Sequence, residues 1–502
     1  MKFGLRDFLR VCSSKMSSQR KCTLVPDCVR GMKQLEREIF LHITTLPVLK
    51  LSTNKVSKIQ PLCKAYILKL EKFKAVQNLG DEDKPFEKCI YLNPDKVTSW
   101  VDIPEEHRQK FYQYEVTESN FGSKETQLTY ENFKYSDIFN AVLPEGSESV
   151  SGFTQIGHII HLNLRDHLLE YKYLIGQVLI DKITVCRTVV NKTAIINETF
   201  RNFNMEVVAG DEDFIVTAKE NQCNFQFDFS KVYWNSRLGM EHERIVNSVV
   251  PGDVLFDVFC GVGPFAIPIA KKRCRVFAND LNPESFKWLN KNAVLNKVKI
   301  SFFKSYNMDG KDFICSTFKE FLIDLCIGKE KIDPEAKIHV TMNLPAIAVE
   351  FLKHFKGLMD DATLYDRFNI NIIVYLYCFV VGDDPVETAK KMAIDNIGYD
   401  ITPFILNVFD VRNVAPSKQM MKVTFKLTKE VLFASDRCFQ TKPPTRFNYC
   451  YLSTITGTDN LTCPPKDGNA HEIYICTSIL NIINLNVTQC VCLSVTLTRL
   501  NY

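Results

Sequence analysis

The sequence predicts an α/β fold whose larger part is a mostly parallel sheet covered by helices on both faces. Two observations predict it. From about residue 236 onward, short apolar strand signals alternate with helix-spaced segments, the pattern of successive βα units. A glycine turn, Asp257-Val258-Phe259-Cys260-Gly261-Val262-Gly263-Pro264-Phe265, joins the first of those strands to the first of those helices.

Taken in order, residues 1–28 read as a targeting or disordered leader. Lys2, Arg6, Arg10, Lys15, Arg20 and Lys21 face one acid, Asp7, among Phe3, Leu5, Phe8, Leu9 and Val11. That is the amphipathic, acid-poor character of a mitochondrial transit peptide, with a basic tail as the alternative. Met16 offers a second start that would remove it, so a location in the mitochondrial matrix, cytoplasm and nucleus is expected. Residues 29–125 mix helical patterns with charge-rich loops, and residues 117–127 are polar enough to read as a linker. Residues 126–235 read as α+β, with strand character at 175–180 and 225–229 and a turn at Ala209-Gly210-Asp211.

In residues 236–430 the expected strands are 254–256, 275–279, 299–303, 338–342, 372–381, 405–408 and 422–427, with helices at 265–272 and 282–296. Residues 431–502 carry Thr441-Lys442-Pro443-Pro444 and Cys463-Pro464-Pro465 in polar surroundings, and read as a poorly ordered tail. No internal repeat is visible.

Composition bounds the class. With 502 residues, 46% hydrophobic and 24% charged, the chain reads as globular and multidomain. The longest apolar run, 372–381, is strand-sized, so no transmembrane helix is implied. A net charge of +4 decides nothing about polyanionic partners. The 18 cysteines are scattered without a CxxC pair and the nine histidines are not grouped with them, so no metal site is expected.

The chemistry gathers where successive strands end. Gly261 and Gly263 permit a tight turn and close approach of a ligand. Asp280, ending the second strand, is placed to accept both hydroxyls of a ribose, which by itself does not separate NAD from S-adenosylmethionine. After the third strand comes Asp309-Gly310, where an acid can accept from an adenine amino group, and after the fourth Asn343-Leu344-Pro345. An amide there can hold a planar nitrogen base, and the proline fixes the loop. Each match alone is an ordinary turn; their order along one sheet edge makes a nucleotide-type cofactor site.

These residues, with Val29-Arg30-Gly31-Met32, Leu143-Pro144-Glu145-Gly146, Ile156-Gly157-His158-Ile159, His161-Leu162-Asn163-Leu164-Arg165, the run from Phe227 to Asn235 and Val411-Arg412-Asn413-Val414-Ala415-Pro416, resemble the tRNA (guanine-N1)-methyltransferases of the archaeal and eukaryotic type. The resemblance covers about residues 29–427. It implies a class I, Rossmann-like methyltransferase domain preceded by two smaller domains, the first binding the tRNA elbow. It implies methyl transfer from S-adenosylmethionine to N1 of guanine 37, next to the anticodon, in support of reading-frame maintenance. The partner implied is tRNA, through its anticodon loop and elbow, with no membrane and a monomeric enzyme.

By the same resemblance, Glu241 is the general base, Arg201 supports the guanine O6 and Tyr233 lines the target pocket. His242, Asp280, Leu281, Asp309, Gly310 and Asn343 resemble cofactor contacts, with Asn343 and Pro345 beside the reaction centre. Asp257 is a further candidate for catalysis or for support of the loop. The assignments suit the chemistry: guanine N1 must lose a proton to be methylated, and the charge that then builds on O6 calls for a cationic donor. Taken alone, Glu241 would be an ordinary helix-surface carboxylate, Arg201 a surface cation and Tyr233 a core aromatic. Ser236, Gly239-Met240 and Cys260 depart from the family pattern, and two of these departures flank Glu241.

Three other functions compete. A wybutosine-pathway enzyme of the same fold would transfer the aminocarboxypropyl group; a protein that only binds tRNA would have lost the chemistry; an NAD oxidoreductase is disfavoured by Ala266 in place of the third glycine and by the Asn-Leu-Pro loop.

Overall fold

A computed structural model describes residues 24–80, 86–145, 150, 152–196, 203–415 and 417–434. The first sheet joins β1 (His42–Leu51), β2 (Val76–Asn78), β3 (Lys88–Tyr91) and β4 (Phe121–Leu128) in the antiparallel order β2-β3-β1-β4. β4 occupies most of the stretch that reads as a linker. Gly122 to Gln127 offers no apolar residue to either face, so periodicity has nothing to report. The strand is made by backbone pairing with β1 from His42↔Leu128 to Leu49↔Phe121, and Asn120 anchors its start by donating to Lys50 O.

The second sheet orders β5 (Thr154–Ile156), β6 (Ile159–Leu162), β7 (Thr188–Ile196) and β8 (Phe203–Gly210) side by side, with β6 and β7 parallel. Residues 175–180, expected to be a strand, lie in the helix Lys172–Lys182. Leu174, Ile175, Val178 and Leu179 fall on one helical face and are buried; the β-branched content imitates a strand. Gly176 lets this helix lie directly on β8, since a Cβ there would stand 2.9 Å from that of Ala209. The segment around Val29 belongs to this core too: Val25, Val29 and Phe40 are buried in the same cluster as Phe139 and Leu174, and Gly31 N–H donates to Val142 O.

A two-stranded ribbon follows, β9 (Ile215–Glu220) and β10 (Cys223–Asp228). Its buried residues Cys223, Phe225 and Phe227 join a cluster that runs from Ile156, Ile159 and Val190 of the second sheet into Leu255 and Ile267 of the next domain. The free edge of β10 is closed by two amides one helical turn apart, Asn292 and Asn296, which accept from the N–H groups of Gln226 and Asn224 at 2.8 and 2.9 Å. The division at residue 235 expected from sequence therefore cuts through a packed unit.

The large sheet runs β13-β12-β11-β14-β15-β17-β16, from β11 (Val254–Asp257), β12 (Arg275–Asn279), β13 (Phe303–Tyr306), β14 (Lys337–Met342), β15 (Asn371–Val381), β16 (Ile405–Ala415) and β17 (Lys418–Lys426). The first five strands are parallel and β17 runs against both its neighbours. The α/β expectation holds, with shifts of boundary: the strand expected at 405–408 runs to Ala415, and the one expected at 422–427 starts at Lys418. The third strand starts at Phe303, because 300–302 forms a short 3-10 turn with Ile300 exposed. The helix Lys429–Leu432 buries Val431 and Leu432, so the domain extends past residue 430; the rest of the tail lies outside the described residues. Among the described residues no helix is long and apolar enough to cross a membrane, no side-chain cluster is suited to a metal ion, and the cysteines are free thiols.

Candidate functional site

β11 ends at Asp257 and the chain turns through Gly261 at φ 54° and Gly263 at φ 99°, both left-handed. The two glycines serve different ends. A Cβ on Gly263 would stand 2.6 Å from Ile267 and 2.8 Å from Leu289, so this one lets the following helix pack. A Cβ on Gly261 would meet nothing within 4 Å, because its Cα faces a cavity of about 670 Å³. Asp280 ties this turn to the next: Oδ2 accepts from Gly261 N–H at 2.8 Å and Oδ1 from Asn282 N–H at 2.9 Å. Burial raises its carboxyl above the ordinary carboxylate range while both N–H donors pull it back. Asn279 laces three strand ends together, donating to Val258 O and Met308 O and accepting from Met308 N–H.

Beyond Asp280 the wall becomes apolar. Leu281, Phe259, Phe351 and Ile347 line it, with Phe259 and Phe351 edge to face at 5.0 Å. Gly310 forms its base, where a Cβ would stand 2.8 Å from Phe259 and 3.1 Å from Phe351. Asp309 caps the short helix that starts there, accepting from Lys311 N–H. After β14, Asn343 lines the cavity, and its buried Oδ1 has no hydrogen-bond partner. Pro345 O accepts from Phe379 N–H at 2.9 Å, pinning that loop to β15. A groove with a ribose-acceptor carboxylate, a flat apolar slot and an unsatisfied amide oxygen fits an adenosine-containing cofactor with a planar base beside it.

The facing wall comes from the second sheet, the segment after β10 and the edge strand β16. His161, Asn163 and Lys192 line it with Tyr233, Arg237 and Arg412. His161 is pushed down to about 4 by burial first, then by the charges of Lys192 and Arg237, so it is neutral at physiological pH. Burial and Arg237 also lower Lys192. Tyr233 is 48% exposed, its ring available to the cavity.

Of the residues assigned from sequence, Tyr233, Asp280, Leu281, Asp309, Gly310, Asn343 and Pro345 meet on this cavity. Three others lie off its walls. His242, expected to touch the cofactor, is buried with Nδ1 2.6 Å from Glu220 Oε1 and its ring edge-on to Phe265. Asp257 is buried beneath the glycine turn, where Oδ1 accepts from Thr341 Oγ1 at 2.7 Å and Oδ2 has no partner; burial pushes its carboxyl up to about 7. Glu241 is 3% exposed on the helix Gly239–Ser248. Its Oε1 accepts from Tyr377 Oη at 2.8 Å and Lys422 Nζ at 2.6 Å, and its Oε2 from Arg244. Arg201 lies outside the described residues.

Of the departures beside Glu241, Met240 is 73% exposed, and the turn at Ser236 is capped by Asn235 Oδ1 accepting from Arg237 N–H. Sequence reasoning singles out neither Lys192 nor Phe351. The signs of the facing wall are the motif around His161, the assignment of Tyr233 to the target pocket and the run 411–416, which carries Arg412 without a stated role.

Residues 216–393 match a family profile described as the TRM5/TYW2 methyltransferase domain, and residues 135–213 one described as the TYW2 N-terminal domain. The chain is 45% identical over 416 residues to the tRNA (guanine(37)-N(1))-methyltransferase of Drosophila pseudoobscura pseudoobscura, covering 82% of this chain and 92% of the relative. The human protein of the same name is 43% identical over 420 residues, with 84% and 80% covered. Among solved structures, Trm5b of Pyrococcus abyssi shares the fold with a TM-score of 0.51 at 21% identity, over 76% of this chain and 99% of that one.

Proposed function

The chain belongs to the tRNA (guanine(37)-N(1))-methyltransferases, and we propose that its cavity takes S-adenosylmethionine along the strand-end wall and the target guanine against Tyr233 and the second sheet. The observation that carries this reading is the buried, unpartnered Oδ1 of Asn343, a residue that lines the same cavity as Asp280 and Tyr233. When bound, S-adenosylmethionine supplies a methyl on a sulfonium, which needs in-line placement and no further activation.

The residues divide the remaining work. Asp280 accepts from the ribose hydroxyls, while Leu281, Phe259 and Phe351 form a slot for the adenine. Tyr233 supports a guanine that has left the anticodon-loop stack, and Asn343 Oδ1 accepts an N–H from it. Arg201, by resemblance, stabilises charge on O6. Glu241, also by resemblance, takes the N1 proton; to do so its carboxylate must exchange one of its three donors for the guanine N–H. The cationic wall of Lys192, Arg237 and Arg412 meets backbone phosphates of the tRNA, and the first domain adds contacts to its elbow. The basic leader supports a mitochondrial location beside cytoplasm and nucleus, which imaging of the chain with and without residues 1–15 tests.

The deciding experiment is single-turnover transfer to unmodified tRNA from about pH 6 to 9, with nucleoside mass spectrometry of the product. Glu241→Gln is expected to slow methylation by about 10²–10⁴-fold near neutral pH, with partial rescue as pH rises. A Glu241→Gln enzyme that keeps most of its rate near neutrality removes Glu241 as the base and turns attention to Asp257. An aminocarboxypropyl product instead of 1-methylguanosine would overturn the transfer of methyl.

A further inference from the structure

β17 places a lysine in the interior of the sheet. Lys422 is 4% exposed and its Nζ lies 2.6 Å from Glu241 Oε1. Tyr377, its partner across the β15–β17 ladder, donates to the same oxygen. Arg244, on the helix that carries Glu241, binds the other oxygen; it and Lys422 share the Phe409 ring of β16 at 4.2 and 5.4 Å. Two rungs further along the same ladder, a rise of roughly 7 Å along the strand, Phe379 and Met420 line the cavity.

Burying an ammonium is unfavourable unless a partner offsets it, and an apolar pair would fill the same space as well. Burial and the charge of Arg244 push Lys422 down to about 8. A cation at hydrogen-bond distance favours the charged form of a carboxylate, and this one is aimed at the residue proposed as the base.

We infer that Lys422 is a positioning residue for methyl transfer: it acts through Glu241, holding that carboxylate as an anion against Tyr377, two rungs from the pair that lines the cavity. The inference rests on Glu241 being the base. The groups facing the pair are Arg244 from its helix, Tyr377 and Tyr375 from β15, Asp257 from β11, whose charge reaches Tyr377, and the Phe409 ring from β16. Asp257 titrates in the same range as the assay, so an effect through Glu241 must be separated from one through Asp257.

The test is single-turnover methylation by the full chain from about pH 6 to 9, for Lys422→Met and Lys422→Arg, each with and without Glu241→Gln. Lys422→Met is expected to move the acid limb of the rate profile up by about one pH unit or more, slowing transfer about 10-fold near pH 6.5 and converging on the parent rate near pH 9. Lys422→Arg is expected to keep the parent profile. Combined with Glu241→Gln, Lys422→Met should add less than about 2-fold, because both act on one group. Where the methionine variant fails to fold, Lys422→Gln carries the same expectation.

A loss constant across pH, or one that multiplies the Glu241→Gln loss, overturns the inference and leaves Glu241 as the base. Full activity of Glu241→Gln near neutrality overturns both.

Discussion

The two walls of the cavity are built on different principles. The strand-end wall is made of turns whose polar groups bind their own backbone: Asp280 to Gly261 and Asn282, Asp309 to Lys311, Pro345 to Phe379. The facing wall is made of side chains from separate elements, His161 on β6, Lys192 on β7, Arg237 after β10 and Arg412 on β16; burial lowers His161 and Lys192, the charge of Arg237 lowers both further, and that of Lys192 adds to the effect on His161. The first wall is rigid before any ligand arrives. The second carries crowded positive charge that a polyanion would relieve.

If that division is right, variants on one wall should leave the other's ligand alone. The largest effect is expected from Asp280→Ala, which removes the ribose acceptor and frees the Gly261 turn. It should weaken S-adenosylmethionine binding by about 1.5–3 kcal/mol while tRNA affinity stays within about 2-fold of the parent, both read by calorimetry. Equal losses for both ligands would mean that the walls are one device.

Asp257 asks whether the strand-end wall also bears a cost in stability. Its carboxyl, at about 7 in the folded chain against about 3.9 unfolded, holds its proton more tightly when folded. Folding stability from this group is therefore fully present below pH 4, falls as pH rises to 7, and is level above. Asp257→Asn should be close to neutral near pH 4.5 and stabilising at pH 8 by on the order of 1–3 kcal/mol, the range for an ill-satisfied buried polar group. Denaturant unfolding at both pH values measures it; a gain that does not change with pH would show that the proton is not the cause.

The smallest effect should come from the cationic wall. Arg237→Ala is expected to weaken tRNA binding a few-fold and to reduce the slope of log affinity against log salt by about 1, with cofactor affinity unchanged. An unchanged salt slope would take Arg237 off the RNA path.

The same division explains what could be read from sequence. Gly261, Asp280, Asp309 and Asn343 are legible because each sits in a short turn after a strand, and a turn is written in consecutive residues. Phe351 is not, because no local pattern says that a 3-10 segment after β14 will line the cavity, and Arg412 is legible only within the motif 411–416, with no sign that an edge strand brings it to the same cavity. The pairing of Glu241 with Lys422 spans most of the large domain, and only the ladder between β15 and β17 reveals it. Errors in the fold have equally local causes. β4 carries no apolar stripe to betray it, and Ile175 to Ile180 carries β-branched residues on a helical face.

The asparagine clasp on β10 bears on how the molecule comes apart. Phe225, Phe227 and Trp234 share one hydrophobic cluster with Leu255, Ile267 and Leu289, and Asn292 and Asn296 fasten the ribbon's outer edge to the helix Pro283–Leu295. The ribbon therefore melts with the large sheet as one cooperative block, whatever its place in the chain. Its amides should exchange hydrogen with solvent at the pace of β11 and β12. Shortening the protein to residue 236 would strip Phe225, Phe227, Phe229 and Trp234 from that core, and a cut near residue 213 would still remove Ile156, Ile159 and Val190 from it.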